Sequence, residues 1–89
     1  MELEQLRIFI AVAETGGFSA GARKLYISHS TTSRTVAALE DELGVRLLER
    51  DNRVFGLTGA GKLLLKEAKE LLASAEDMAE RVRAAENNI

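Results

Sequence analysis

The chain has no cysteine, no proline and no tryptophan, and its aromatic residues are one tyrosine and three phenylalanines. Without thiols there is no disulfide framework and no thiolate metal site, which fits a reducing compartment. A single histidine with no cysteine leaves most catalytic triads and zinc sites without their parts. The acids Glu40, Asp41 and Glu42 are neighbours on one helix and do not converge, and Gly16-Gly17 and Gly59-Ala60-Gly61 are not phosphate-loop patterns. No enzymatic activity, metal or cofactor is therefore expected. No apolar run approaches the ~20 residues a membrane span needs. Glu2, Glu4 and Arg7 interrupt the first apolar residues, so the start does not read as a signal peptide. These absences together suggest a cytoplasmic protein with no membrane partner. Few aromatics also mean that any core must be aliphatic.

What is present is an ordinary soluble balance: 89 residues, 46% hydrophobic and 29% charged. That is enough for one small domain, and domains of this size are marginal, so an obligate partner is a reasonable expectation. The net charge of −2 counts against a nucleic-acid binder. Its distribution matters more. Residues 19–39 carry Arg23, Lys24 and Arg34 and no acid, a local +3. One face can be positive while the whole is acidic.

Leu3, Leu6, Phe9, Ile10 and Ala13 recur at helical spacing, which predicts a first helix from about Glu2 to Glu14 that stops at Thr15-Gly16-Gly17. A short helix from about Ser19 to Leu25 follows, with Ser19 as cap, small residues Ala20, Gly21 and Ala22 for a close approach, and Phe18, Ala22 and Leu25 inward. Tyr26-Ile27 is a tight link. Ser28 or Ser30 caps a third helix that runs to Leu43 and stops at Gly44. At 100° per residue, with Ser30 set at 0°, Thr32, Val36, Leu39 and Leu43 fall at roughly 180–240° and face a core. Ser30, Ser33, Arg34 and Ala37 fall at roughly −60° to +40°, a small, polar and basic face. Two β-rich runs, Val45–Arg50 and Val54–Leu57, flank Asp51-Asn52-Arg53 and read as a hairpin. Thr58 caps the last helix, whose first turn Gly59 and Gly61 loosen.

The order helix, helix, tight turn, helix, hairpin describes a winged helix-turn-helix, a mainly α fold of three helices plus a short β-hairpin wing. In such a motif the third helix enters the DNA major groove with its N-terminal residues leading. The front of the helix must be small, must carry hydrogen-bonding groups for base edges, and should include a cation. Ser30, Thr31, Ser33 and Arg34 meet these demands. Arg34 is the candidate for reading guanine O6 and N7; the alternative is a solvent-exposed arginine paired with Glu40 or another acid. His29 can donate to phosphate or base. Arg50 and Arg53 flank the hairpin turn, either reaching DNA or simply solvated, and Tyr26, Arg23 and Lys24 can touch the phosphate backbone.

From Ala60 the pattern is strongly helical. Leu64, Ala68, Leu71, Ala75, Met78, Val82, Ala85 and Ile89 alternate spacings of 4 and 3, an unbroken heptad seam. At ~1.5 Å per residue it spans roughly 38 Å, too long for so small a domain to cover. The seam predicts a homodimer, parallel or antiparallel, although its start near Leu64 can pack on the first helix. The chain thus divides into a DNA-binding unit, 1–58, and a dimerisation helix, 59–89. The competing possibility is a winged helix that docks partner proteins only.

At the level of residues the chain resembles the N-terminal domain of LysR-type transcriptional regulators. The resemblance rests on Leu6-Arg7-Ile8-Phe9 with Ala13-Glu14, on Gly17-Phe18-Ser19 with Ala22, and on Leu25, Ile27 and Ser28. It continues through Ser33-Arg34, Leu39-Glu40, Leu43-Gly44-Val45, Leu47-Leu48, Arg50, Leu57-Thr58 and Gly61. It implies a bacterial transcription regulator with antiparallel linker helices that binds double-stranded DNA at an interrupted inverted repeat. It implies DNA contacts at His29, Ser30, Thr31, Ser33 and Arg34, with Arg53 in the wing. It further implies an effector-sensing domain and its small-molecule ligand, both absent from this chain, so that the sequence reads as a piece of a longer regulator. His29 and Ser30 stand where the family commonly has Gln and Pro, and Thr32 where an aliphatic residue is usual; a buried Thr32 hydroxyl would need a partner.

Overall fold

The computed structural model describes residues 1–50 and 55–86. Among these residues are four helices: α1 (Leu3–Thr15), α2 (Phe18–Leu25), α3 (His29–Leu43) and α4 (Gly59–Glu86). Each helix end has a local cause. The Glu2 N–H donates to Gln5 Oε1 at 2.8 Å and starts α1. Gly16 (φ 85°) and Gly44 (φ 70°) end α1 and α3 in the left-handed conformation that favours glycine. Ser28 caps α3, its Oγ accepting from the Thr31 N–H at 3.0 Å. Thr58 caps α4, its Oγ1 accepting from the Gly61 N–H at 3.0 Å and donating to the Arg46 carbonyl at 2.6 Å. Ser19 is not a cap: α2 begins one residue earlier, after Gly17, with no side-chain cap bond.

Helix α1 is the central element, packed by α2, α3 and α4. This explains why its buried set, Leu6, Ile8, Phe9, Ala11 and Val12, is wider than one stripe. Leu6, Phe9 and Val12 meet Val36 and Leu39 of α3, Leu47 and Leu48 of the following arm, and Ala68 of α4. The aliphatic core expected from the composition is therefore present, with Phe9 the one aromatic at its centre. Gly21 lets α2 lie against α1, since a Cβ there would sit 3.0 Å from Val12 backbone atoms. Gly61 is the second close approach. A Cβ on it would fall 2.1 Å from the Leu47 carbonyl oxygen, so this glycine is required for contact rather than for a loose first turn.

The wing is more economical than a ladder. Among the described residues its arms meet at one isolated antiparallel bridge, Leu48 to Leu57. The Glu49 N–H donates to the Gly56 carbonyl at 2.9 Å and the Thr58 N–H to the Leu47 carbonyl at 3.1 Å. The turn expected at Asp51-Asn52-Arg53 lies outside the described residues.

Helix α4 carries the molecule to an extent of 57 × 26 × 19 Å. Its first turns belong to the core: Ala68 is buried, and Leu64 and Leu65 pack against the cluster. The Lys69 ammonium also pairs with Glu14 of α1 at 2.6 Å. Beyond that point the seam emerges from the domain. Leu71, Met78 and Val82 are exposed, the last two by 62% and 66%. No helix among the described residues is long and apolar enough to cross a membrane.

Candidate nucleic-acid interface

Helix α3 is held by its back. Thr32, Val36 and Leu39 are fully buried, as the 180–240° face requires. Leu43, assigned to the same face, is instead 40% exposed, because the chain turns away at Gly44 and leaves nothing over the last turn. The Thr32 hydroxyl finds the partner it needs, donating to the Ser28 carbonyl at 3.0 Å. Thr32 is thus buried without an orphaned group, and no buried side-chain N or O among the described residues lacks a partner.

The opposite face is uncovered. Tyr26, Ser28, His29, Ser30, Arg34 and Ala37 are exposed, and Thr31, Ser33 and Thr35 are partly so. Arg34 has no ion-pair partner among the described residues. The hydroxyls are not equivalent. Ser33 Oγ donates to the Ser30 carbonyl at 3.2 Å, so its lone pairs remain to accept from a base amino group. Thr31 Oγ1 accepts from Ser28 Oγ at 2.8 Å, so its own proton is left to donate outward. The first turn of α3 contains no acid to neutralise its positive dipole end. Tyr26 ends α2 in the left-handed region (φ 58°), and its side chain is 96% exposed beside the α3 cap. The His29 ring packs edge-on to Phe18, with centroids 5.8 Å apart, which fixes it against α2. Sequence spacing gave no sign of that contact.

Arg50 is not a free wing cation. Its Nη2 donates to Glu40 Oε1, so Glu40 is paired with Arg50 rather than with Arg34. Glu40 has a role that the sequence did not reveal. Its side chain is 7% exposed, and its Oε2 accepts from the N–H groups of Leu47 at 2.8 Å and Leu48 at 3.4 Å. Burial by itself pushes this carboxyl up; the two backbone donors and the Arg50 guanidinium outweigh it and hold Glu40 below the ordinary carboxylate value. One carboxylate thus ties the recognition-type helix to the arm of the wing. The signal available was the pairing of Leu39-Glu40 with an arginine ten residues on. Arg53 and Ile89, the other assigned residues, lie outside the described set.

Of the seam residues named for dimerisation, Ala68 is occupied by its own chain and Leu64 is partly covered. Ala75 is half-buried, while Leu71, Met78, Val82 and Ala85 are open. Among the described residues no group of three or more acids, histidines or cysteines is placed to hold a metal ion.

Comparison with known proteins follows this geometry closely. Residues 3–62 match the profile of the bacterial regulatory helix-turn-helix proteins of the lysR family. The chain is 44% identical over 85 residues to the HTH-type transcriptional regulator TfdT of Cupriavidus pinatubonensis, covering 96% of this chain and 37% of that protein. It is 49% identical over 85 residues to ClcR of Pseudomonas putida, covering 96% of this chain and 29% of the relative. The chain therefore spans about a third of the length of these curated relatives. Among solved structures it is similar to the CbnR DNA-binding domain in complex with DNA, with a TM-score of 0.90 at 46% identity over 96% of this chain and 98% of the other. It is also similar to the BenM DNA-binding domain on catB site 1 DNA, with a TM-score of 0.93 at 36% identity over 100% and 99% of the two chains.

Proposed function

Because this chain belongs to the lysR family of bacterial regulatory helix-turn-helix proteins, we propose that it is the DNA-binding part of a cytoplasmic transcription regulator that grips an interrupted inverted repeat as a homodimer. The observation that carries this reading is the bare face of α3, with Ser30, Ser33, Arg34 and Ala37 open on one side and Thr32, Val36 and Leu39 buried on the other. Such a helix enters a major groove front first. Arg34 presents a bidentate donor fork suited to guanine, Ser33 an acceptor, and Thr31 and His29 donors. Tyr26, Arg23 and Lys24 border the same end of the helix and serve the phosphate backbone, which sets register without reading sequence. The CbnR and BenM complexes, in which similar domains are bound to DNA, support the same use.

The exposed seam Leu71, Ala75, Met78, Val82 and Ala85 supplies the dimer contact, since a row of apolar side chains on a rod projecting into water calls for a partner. Two copies then offer two α3 helices to one side of a duplex, spaced near a whole number of turns. The full regulator adds an effector-sensing domain, and the chain is no enzyme. The test is a gel-shift titration of the chain against promoter fragments at rising salt. Binding that weakens steeply with salt is expected, because phosphate contacts release counterions. No retention even at low salt contradicts the proposal and favours a protein-docking role.

A further inference from the structure

Beside the reading face lies a second feature, an open cleft of about 460 Å³ between the C-terminal half of α3 and the arm Val45–Arg50. Ala37, Asp41, Arg46 and Arg50 line it, with Glu40 at its base. The cleft continues the bare stripe of α3. Ala37 sits one turn after Ser33 and Arg34, and Asp41, at 100° per residue, returns to roughly the same angle as Ser30. If α3 occupies a major groove and the wing the neighbouring minor groove, one sugar-phosphate strand separates the two grooves and must pass between these elements. The cleft is the space between them.

Its charges suit that strand. The Glu40 carboxylate is buried and already accepts from three donors. Arg50, anchored by Glu40, is still 39% exposed and keeps N–H groups to spare. Arg46 is exposed and has no ion-pair partner among the described residues. Its backbone is pinned by the Thr58 hydroxyl at 2.6 Å, which fixes where the side chain starts. Two guanidinium groups therefore face one open carboxylate, Asp41.

We propose that this cleft seats a DNA phosphodiester, bound by Arg46 and by Arg50, with Glu40 as the positioning residue that aims Arg50. The proposal rests on the DNA-binding reading above. Asp41, on the α3 wall of the cleft, limits the attraction and keeps it from becoming indiscriminate.

The experiment measures the salt dependence of binding for the whole chain on a duplex selected from random DNA. Each phosphate contact adds about 0.9 to the slope of log K against log salt. Arg46→Ala should lower the slope by about that amount, Arg46→Lys should keep it, and Asp41→Asn should tighten binding at every salt concentration. A merely structural role for Arg46 moves stability but not the slope. An unaltered chain that binds with a normal slope, alongside an Arg46→Ala variant of the same slope, overturns the cleft assignment alone. An unaltered chain that selects no duplex overturns the reading beneath it as well.

Discussion

Glu40 is the residue on which the relation of helix to wing depends, and its removal has a calculable cost. In Glu40→Ala the Leu47 and Leu48 N–H groups lose their acceptor at buried positions. A stranded buried donor costs about 1–3 kcal/mol, and breaking a buried ion pair costs about 3–5 kcal/mol. Arg50 is 39% exposed and can turn to water, so the pair stays near the low end. The expected loss is at least about 3 kcal/mol, a large part of the roughly 5–15 kcal/mol that holds a small domain together. Glu40→Gln keeps an oxygen for the two amides and loses only the charge-assisted increment, about 1–2 kcal/mol. The assay is urea denaturation at fixed protomer concentration, since the proposed dimer contact would contribute to apparent stability. The pH dependence has a definite sign. The folded carboxyl lies below its unfolded value, so its contribution is complete above the ordinary glutamate range, about 4.3, and fades as pH falls through the folded value. The gap between the unaltered chain and Glu40→Gln should be constant near neutrality and narrow below about pH 4.5. A Glu40→Ala variant within about 1 kcal/mol of the unaltered chain refutes the clamp, as does a gap indifferent to acid.

Gly61→Ala drives a Cβ to 2.1 Å from the Leu47 carbonyl oxygen, backbone against backbone. It should cost about 1–3 kcal/mol or more, whereas Gly59→Ala, with nothing within 4 Å, should be neutral or slightly stabilising in the same melt. Thr32→Val should lie within about 1 kcal/mol of the unaltered chain, because a methyl replaces the hydroxyl and the Ser28 carbonyl keeps the Thr32 N–H at 3.2 Å. Val82→Glu, at a 66% exposed position, should leave the melting of the winged unit intact but shift sedimentation from dimer toward monomer. A Val82→Glu chain that remains dimeric at micromolar concentration rejects the seam as the contact.

Much of this molecule was legible in its sequence, for identifiable reasons. Periodicity located the four described helices, helped by the glycines that end α1 and α3 and the hydroxyl caps that begin α3 and α4. The face of α3 could be read by angle, since Thr32, Val36 and Leu39 leave Ser30, Ser33 and Arg34 opposite. Periodicity failed where burial comes from more than one side, as for Ile8 and Ala11 of α1, or from none, as for Leu43. Glycine was recognised as permissive but not as a contact: the approach of Gly61 to Leu47 joins segments fourteen residues apart and has no local signature. The Glu40–Arg50 clamp was missed for a similar reason. A buried acid looks like a surface acid until the backbone that donates to it is in place. The wing showed its β-rich arms, but not that a single bridge would be enough to join them.

The most direct test of the account concerns Arg34. The unaltered chain and Arg34→Ala are titrated against the selected duplex and against variants in which each base pair is changed in turn. The expected result is that the unaltered chain discriminates at a guanine-bearing position, and that Arg34→Ala loses about 1–3 kcal/mol there and becomes indifferent to that base pair alone. A substituted chain that keeps the full discrimination profile contradicts the claim that this face of α3 reads DNA through Arg34.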